Sequence, residues 1–216
     1  MQRHDGKLRK IPETTIRRLP AYLRALTLTG LDRVTSETLG QASGYSSEQV
    51  RKDLAYFGAF GTRGVGYDVS MLTQEIRHIL QLDQGVRAVV VGAGRLGTAL
   101  VRHTDEMASD VVISAVVDIN PVVIGTALGH LTVEPLDHLE DLIAERDIGM
   151  GIITVPAAGA QAVCNRLVAA GVHAILNFAP TSLTVGNPEV FVQDIDLTLE
   201  MQALAYFVGT AARTRP

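Results

Sequence analysis

Cysteine is almost missing from this chain. Cys164 is the only one in 216 residues, so no internal disulfide can form and no cysteine-based zinc site can be built. Long apolar runs are missing as well. None approaches the roughly 18–20 residues needed to cross a bilayer, and the polar N-terminus does not read as a signal peptide. The six histidines (His4, His78, His103, His130, His138 and His173) are scattered without ligand spacing, so no metal is expected. The expectation is a cytoplasmic chain with no membrane segment. Apolar residues make up 47% of it, which supplies a substantial core and argues against disorder.

Excess charge of one sign is also absent overall, with a net of −4. The total hides a division. Residues 1–82 carry twelve Lys/Arg against eight Asp/Glu, a net of +4, and the remainder carries seven against fifteen, a net of −8. A basic first third beside an acidic remainder points to different partners for the two parts, and permits nucleic acid for the first.

The most informative stretch begins at Val86 to Val91, a β-branched run without polar alternation that fits a strand buried on both faces. Gly92-Ala93-Gly94-Arg95-Leu96-Gly97 follows at once, and Leu96, Ala99, Leu100 and His103 then recur at helical spacing. The glycines therefore fall on a strand-to-helix turn. Gly92 allows the turn, Gly94 lets backbone approach a pyrophosphate, and Gly97 lets helix pack on strand, with the anion on the helix N-terminus. A second apolar run, Val111 to Val117, ends in Asp118, 21 residues after Gly97. That is where a carboxylate bonds the adenosine ribose and repels a 2′-phosphate, so NAD(H) is expected over NADP(H).

Within the basic part, Lys7 to Lys10 reads as a tail. Thr14 to Leu28 reads as helix, with Ile16, Leu19, Leu23 and Leu26 on one face and Pro20 bending or restarting it. Ser36 is placed to cap a short helix through Gln41. Ser46 and Gln49 fit a capping box for the next helix, in which Val50, Leu54 and Phe57 face inward while Arg51 and Lys52 face out. This is a helix-turn-helix pattern whose second helix would enter a major groove. Gly58 to Tyr67 reads as a glycine-rich hairpin, a wing with Arg63 near its tip. A helix over Ser70 to Leu82 and a hinge at Asp83-Gln84-Gly85 complete this part.

Beyond Asp118, strands near Leu131–Val133, Met150–Val155 and His173–Phe178 alternate with helices over Leu136–Glu145 and Ala157–Ala170. The alternation predicts a doubly wound parallel sheet, with Val155, Pro156, Asn177, Phe178 and Ala179 at strand ends lining the nicotinamide. Asp196 to Ala212 reads as a helix with a stripe of Leu197, Met201, Leu204 and Val208, suited to a dimer contact. A dehydrogenase would need a positioned acid or base beside the hydride. No Ser/His/Asp, paired-carboxylate or lysine grouping stands out, and little chain is left for a substrate domain. The expectation is a binder of the dinucleotide and not an enzyme.

The chain resembles the Rex family of bacterial redox-sensing transcriptional repressors almost end to end. The resemblance runs through Arg18-Leu19-Pro20, Val50 to Gly58, Gly61 to Tyr67, Gly92 to Leu100, Ile175 to Pro180 and Asp196-Leu197. It implies an α/β chain in three parts: a winged-helix DNA-binding domain over 1–82, a Rossmann domain over 83–195 and a dimerisation helix over 196–216 exchanged between subunits. It further implies a homodimer that binds double-stranded operator DNA in the apo or NAD⁺ form and releases it with NADH. Arg51 and Lys52 would touch the operator, with Ser47 and Tyr56 counted beside them and Arg18 and Arg63 on the backbone. Ile119 joins the cofactor-binding set next to Asp118, while Arg24 and Asp196 would couple the domains. The family usually has tyrosine where this chain has His103, beside the aspartate matching Asp196 and the nicotinamide. Protonation there would make sensing pH-dependent. A small NAD-dependent oxidoreductase and a CoA-binding module are the alternatives.

Overall fold

A computed structural model of the chain describes residues 11–58, 61–62, 65–106 and 110–213, and divides between Gln84 and Gly85 into two units. In the first, α1 (Glu13–Ile16) and α2 (Leu19–Leu28) are separate helices. Pro20 sits in the first turn of α2, where its missing N–H costs nothing, so it restarts the helix. After β1 (Arg33–Val34) comes α3 (Ser36–Ser43). Its cap is Thr35, whose Oγ1 accepts from the Thr38 N–H at 3.1 Å, one residue before the expected Ser36. Then α4 (Ser47–Leu54) starts on Ser46, whose Oγ accepts from the Gln49 N–H. Only half of the expected capping box forms, because the Gln49 amide turns to Asp53 instead.

A wing follows. β2 (Gly61–Thr62) and β3 (Gly66–Asp68) pair antiparallel, and β1 adds to the other edge of β3. The two residues of β1 are too few to show alternation, so only tertiary pairing reveals that strand. α5 (Val69–Ile79) begins on Asp68, which accepts the Met71 N–H. Leu19, Tyr22, Leu26, Leu39, Val50, Leu54, Leu72 and Ile76 form one core beneath these elements.

The second unit is a sheet of β4 (Val86–Val91), β5 (Val111–Asp118), β6 (Ala127–Leu128), β7 (Leu131–Pro135), β8 (Met150–Ile153), β9 (Ala174–Asn177) and β10 (Phe191–Asp194). Helices α6 (Arg95–Glu106), α7 (Leu139–Glu145) and α8 (Ala157–Ala169) intervene, and α9 (Leu197–Arg213) follows. Strand order is β10-β9-β8-β4-β5-β7-β6, parallel throughout except for β6 on β7. Val89 and Val91 pack on one face with α7 and α8, while Ala88 and Val90 pack on the other with Val101 of α6. That explains why β4 is apolar at every position from Ala88 to Val91. The order reverses between β4 and β8, so a crevice opens at their carboxyl ends. Among the described residues no helix is long and apolar enough to cross a membrane.

Candidate functional site

The dinucleotide turn is shaped by backbone. Gly92 has φ +108°, a left-handed value that disfavours a side chain. A Cβ on Gly97 would lie 2.0 Å from the Gly92 carbonyl oxygen, so only glycine lets α6 pack against the turn. Gly94 differs. It is exposed and a Cβ there would meet nothing within 4 Å, which leaves the approach to the helix N-terminus open. The Thr154 hydroxyl, just past β8, lies 2.7 Å from the Gly92 carbonyl and ties the turn to the neighbouring strand. Thr154 has no signal in the sequence, because a lone threonine after a strand carries no pattern.

Asp118 ends β5 half-buried. Its Oδ2 accepts the Ala93 N–H at 2.6 Å and its Oδ1 the Asn120 N–H at 2.7 Å. The carboxylate is thus pinned beside the glycine turn with lone pairs to spare for ribose hydroxyls. An open Gly94, a closed Gly97 and an oriented acceptor fit the pyrophosphate and ribose of a dinucleotide. Arg95 and Leu96 are exposed on the first turn of α6, and Ile119 is exposed beside Asp118. Val155 is half-buried and Pro156 exposed past β8, and Phe178 is half-buried past β9. Asn177 is fully buried. Its Nδ2 donates to the Thr181 carbonyl and to Asp194 Oδ1, and its Oδ1 accepts the Ala179 N–H, so this amide shapes the strand exit from inside. Ala179 is buried with it. His103 is exposed on α6, and Asp196 spends its Oδ1 on the Thr198 N–H at the start of α9.

In the first unit, Arg51 and Lys52 are exposed on α4, with Ser47 and Tyr56 half-buried at its two ends. The Arg51 Nη1 donates to Ser36 Oγ of α3 at 2.8 Å, which holds an outward side chain in one orientation. Arg24 is exposed on α2. Arg63 lies outside the described residues, as does the Lys7 to Lys10 tail.

Arg18, expected on a DNA backbone, turns inward. Its Nε and Nη2 donate to the two oxygens of Asp53 at 2.6 and 2.7 Å, and its side chain is 19% exposed. Tyr22 Oη donates to the same carboxylate at 2.8 Å, Thr15 Oγ1 at 3.0 Å and Gln49 Nε2 at 2.8 Å. Burial alone would raise the Asp53 pKa, but these hydrogen bonds outweigh it and hold the carboxyl below its ordinary value. Burial, then the bond to Asp53, pushes the Tyr22 phenol upward. A signal for Asp53 was present: it lies between Val50 and Leu54 on the inward side of α4, where an acid must find partners.

Fold and site together define a class, a winged-helix DNA-binding unit joined to a dinucleotide-binding Rossmann unit. Residues 10–55 match the family described as putative DNA-binding protein N-terminus, and residues 83–181 match the CoA binding domain. The redox-sensing transcriptional repressor Rex of Streptomyces griseus subsp. griseus is 45% identical over 202 residues, covering 92% of this chain and 79% of that one. Rex of Syntrophomonas wolfei subsp. wolfei is 43% identical over 206 residues, covering 94% and 98%. Among solved structures, RSP in complex with β-NAD⁺ and operator DNA superposes with a TM-score of 0.84 at 33% identity, covering 94% of each chain. RSP in complex with β-NADH gives 0.81 at 31%, covering 94% and 96%. The chain belongs to the Rex family of redox-sensing transcriptional repressors.

Proposed function

We propose that this chain is an NAD(H)-responsive repressor that holds operator DNA as a homodimer in its apo or NAD⁺ form and lets go on binding NADH. One observation carries the reading. A single chain pairs a capped helix presenting Arg51 and Lys52 with a glycine turn whose acidic neighbour, Asp118, is oriented over it. Bound NAD(H) supplies the redox state that is read, and the chain leaves it unreacted. Arg51 and Lys52 read the major groove, flanked by Ser47 and Tyr56, and Arg63 meets the backbone. Asp118 accepts from the ribose and excludes a 2′-phosphate. Val155, Pro156 and Phe178 border the nicotinamide end with His103, while Arg24 and Asp196 link ligand to DNA. The setting is the cytoplasm.

Two features of α9 support a second copy of the chain as partner. Leu197, Met201, Leu204 and Val208 lie along one side and are 57–73% exposed. Leu199 and Tyr206 fall on roughly the opposite side, at about 100° per residue, and are exposed too. A helix apolar on opposite sides is suited to burial between two surfaces, which fits exchange between subunits.

Release follows from linkage. The chain can trade DNA for NADH only if its DNA-incompetent arrangement binds NADH more tightly, and operator must then weaken NADH by the same factor. Titrating NADH with and without operator tests this, and unchanged affinity rules the mechanism out.

A further inference from the structure

The Asp53 carboxylate is saturated. Five hydrogen bonds from Thr15, Arg18, Tyr22 and Gln49 reach its two oxygens, more than its roughly four lone-pair sites. The donors come from α1, from the residue capping α2, from α2 and from α4 itself. Three helices therefore meet at one point, which is 0% exposed. Tyr45, between α3 and α4, closes the point from the side, with its ring edge-on to Tyr22 at 5.6 Å and beneath the Arg18 guanidinium at 5.9 Å.

We propose that Asp53 is a positioning residue for operator recognition, fixing how far α4 is turned about its axis through its bonds to Arg18 and Tyr22, without touching DNA. The inference rests on the reading of α4 as the groove helix. Asp53 lies two residues after Arg51, about 200° around the helix, so the hub holds the back of α4 while Arg51 faces out. Side chains sit about 5–6 Å from a helix axis, and a turn of about 20° would carry them about 2 Å. That displacement breaks a base contact whose usable range is only about half an ångström wide. An apolar cluster would hold the helix in place but would leave its rotation softer. Two carboxylate oxygens facing a fork of guanidinium nitrogens admit one orientation. On this account Arg18 is not a phosphate contact.

The test uses the full chain with NAD⁺ and a duplex selected by that chain from a randomised pool, against a scrambled duplex of equal composition. Tyr22→Phe keeps the ring and removes one bond. Arg18→Lys keeps the charge and removes the fork. Each should weaken the selected duplex, Arg18→Lys by about tenfold, while the scrambled duplex changes by less than about twofold. Arg18→Ala should leave the slope of log affinity against log salt unchanged. A slope lower by about one would make Arg18 a phosphate contact and overturn the proposal. Parallel losses on both duplexes, or parental affinity for the selected one, would overturn it as well. Arg51→Ala separates the two readings. Should it bind as the parent does, α4 is not the groove helix and both fail. If it weakens binding while the hub variants do not, only the present inference fails.

Discussion

The two units solve positioning in opposite ways. In the Rossmann unit the phosphate-facing turn is main chain, and glycines at Gly92 and Gly97 let backbone come so close that no side chain fits between. Its supporting core is apolar, with valines on both faces of β4. In the winged unit the site is side chain, and its orientation depends on the Asp53 carboxylate, buried beside the apolar core. A backbone site is broken by adding atoms, whereas a side-chain site is broken by removing them. A buried acid is also costly when stripped of its partners, so the smaller unit carries the more fragile device.

The largest effect expected from this contrast is at Asp53. Asp53→Ala deletes the acceptor for Arg18 and leaves a partly buried cation without its partner, at a cost of about 3–5 kcal/mol. Hydrogen exchange on the full chain should show protection lost across residues 19–54 and kept across β4, with NADH binding retained. Acid probes the same group from another side. Its folded pKa is depressed, so its contribution is complete above the ordinary carboxylate range and disappears as pH falls through the folded value. Asp53→Asn should remove that acid-side step from the pH dependence of unfolding.

Gly97→Ala is the complementary break. The added methyl would press on the Gly92 carbonyl, and the turn must open, at about 1–3 kcal/mol of strain. NADH titration should show weaker binding, while apo operator binding stays at the parental level. Loss of both together would mean that the glycine turn also supports the DNA-competent state.

The contrast also decides what could be read in advance. The Rossmann unit was legible because its rules are local and periodic: a two-sided apolar strand, glycines at fixed spacing, an acid at the end of the next strand. Its short outer elements were not, since Ala127–Leu128 and Phe191–Asp194 are strands only by virtue of a neighbour. In the winged unit the helices and the outward pair Arg51 and Lys52 were legible from period and caps. Arg18 was not, because a cation on an amphipathic helix reads the same whether it faces solvent or a buried acid 35 residues away. Long-range polar pairing leaves no mark on local spacing.

A smaller loss is expected where one outward side chain is held by another. Arg51→Ala should cost operator affinity roughly 1–3 kcal/mol and relax sequence preference. Ser36→Ala keeps Arg51 but removes the hydroxyl that accepts from its Nη1 at 2.8 Å. The freed guanidinium must then be ordered on binding, and a hydrogen bond of this kind is worth about 0.5–1.5 kcal/mol. The loss should therefore be a fraction of that for Arg51→Ala. It should also vanish in the Arg51→Ala background, since with the arginine gone the serine has nothing to hold. A full-sized loss that persists in that background would make Ser36 a DNA contact in its own right. The outward face would then extend from α4 onto the start of α3.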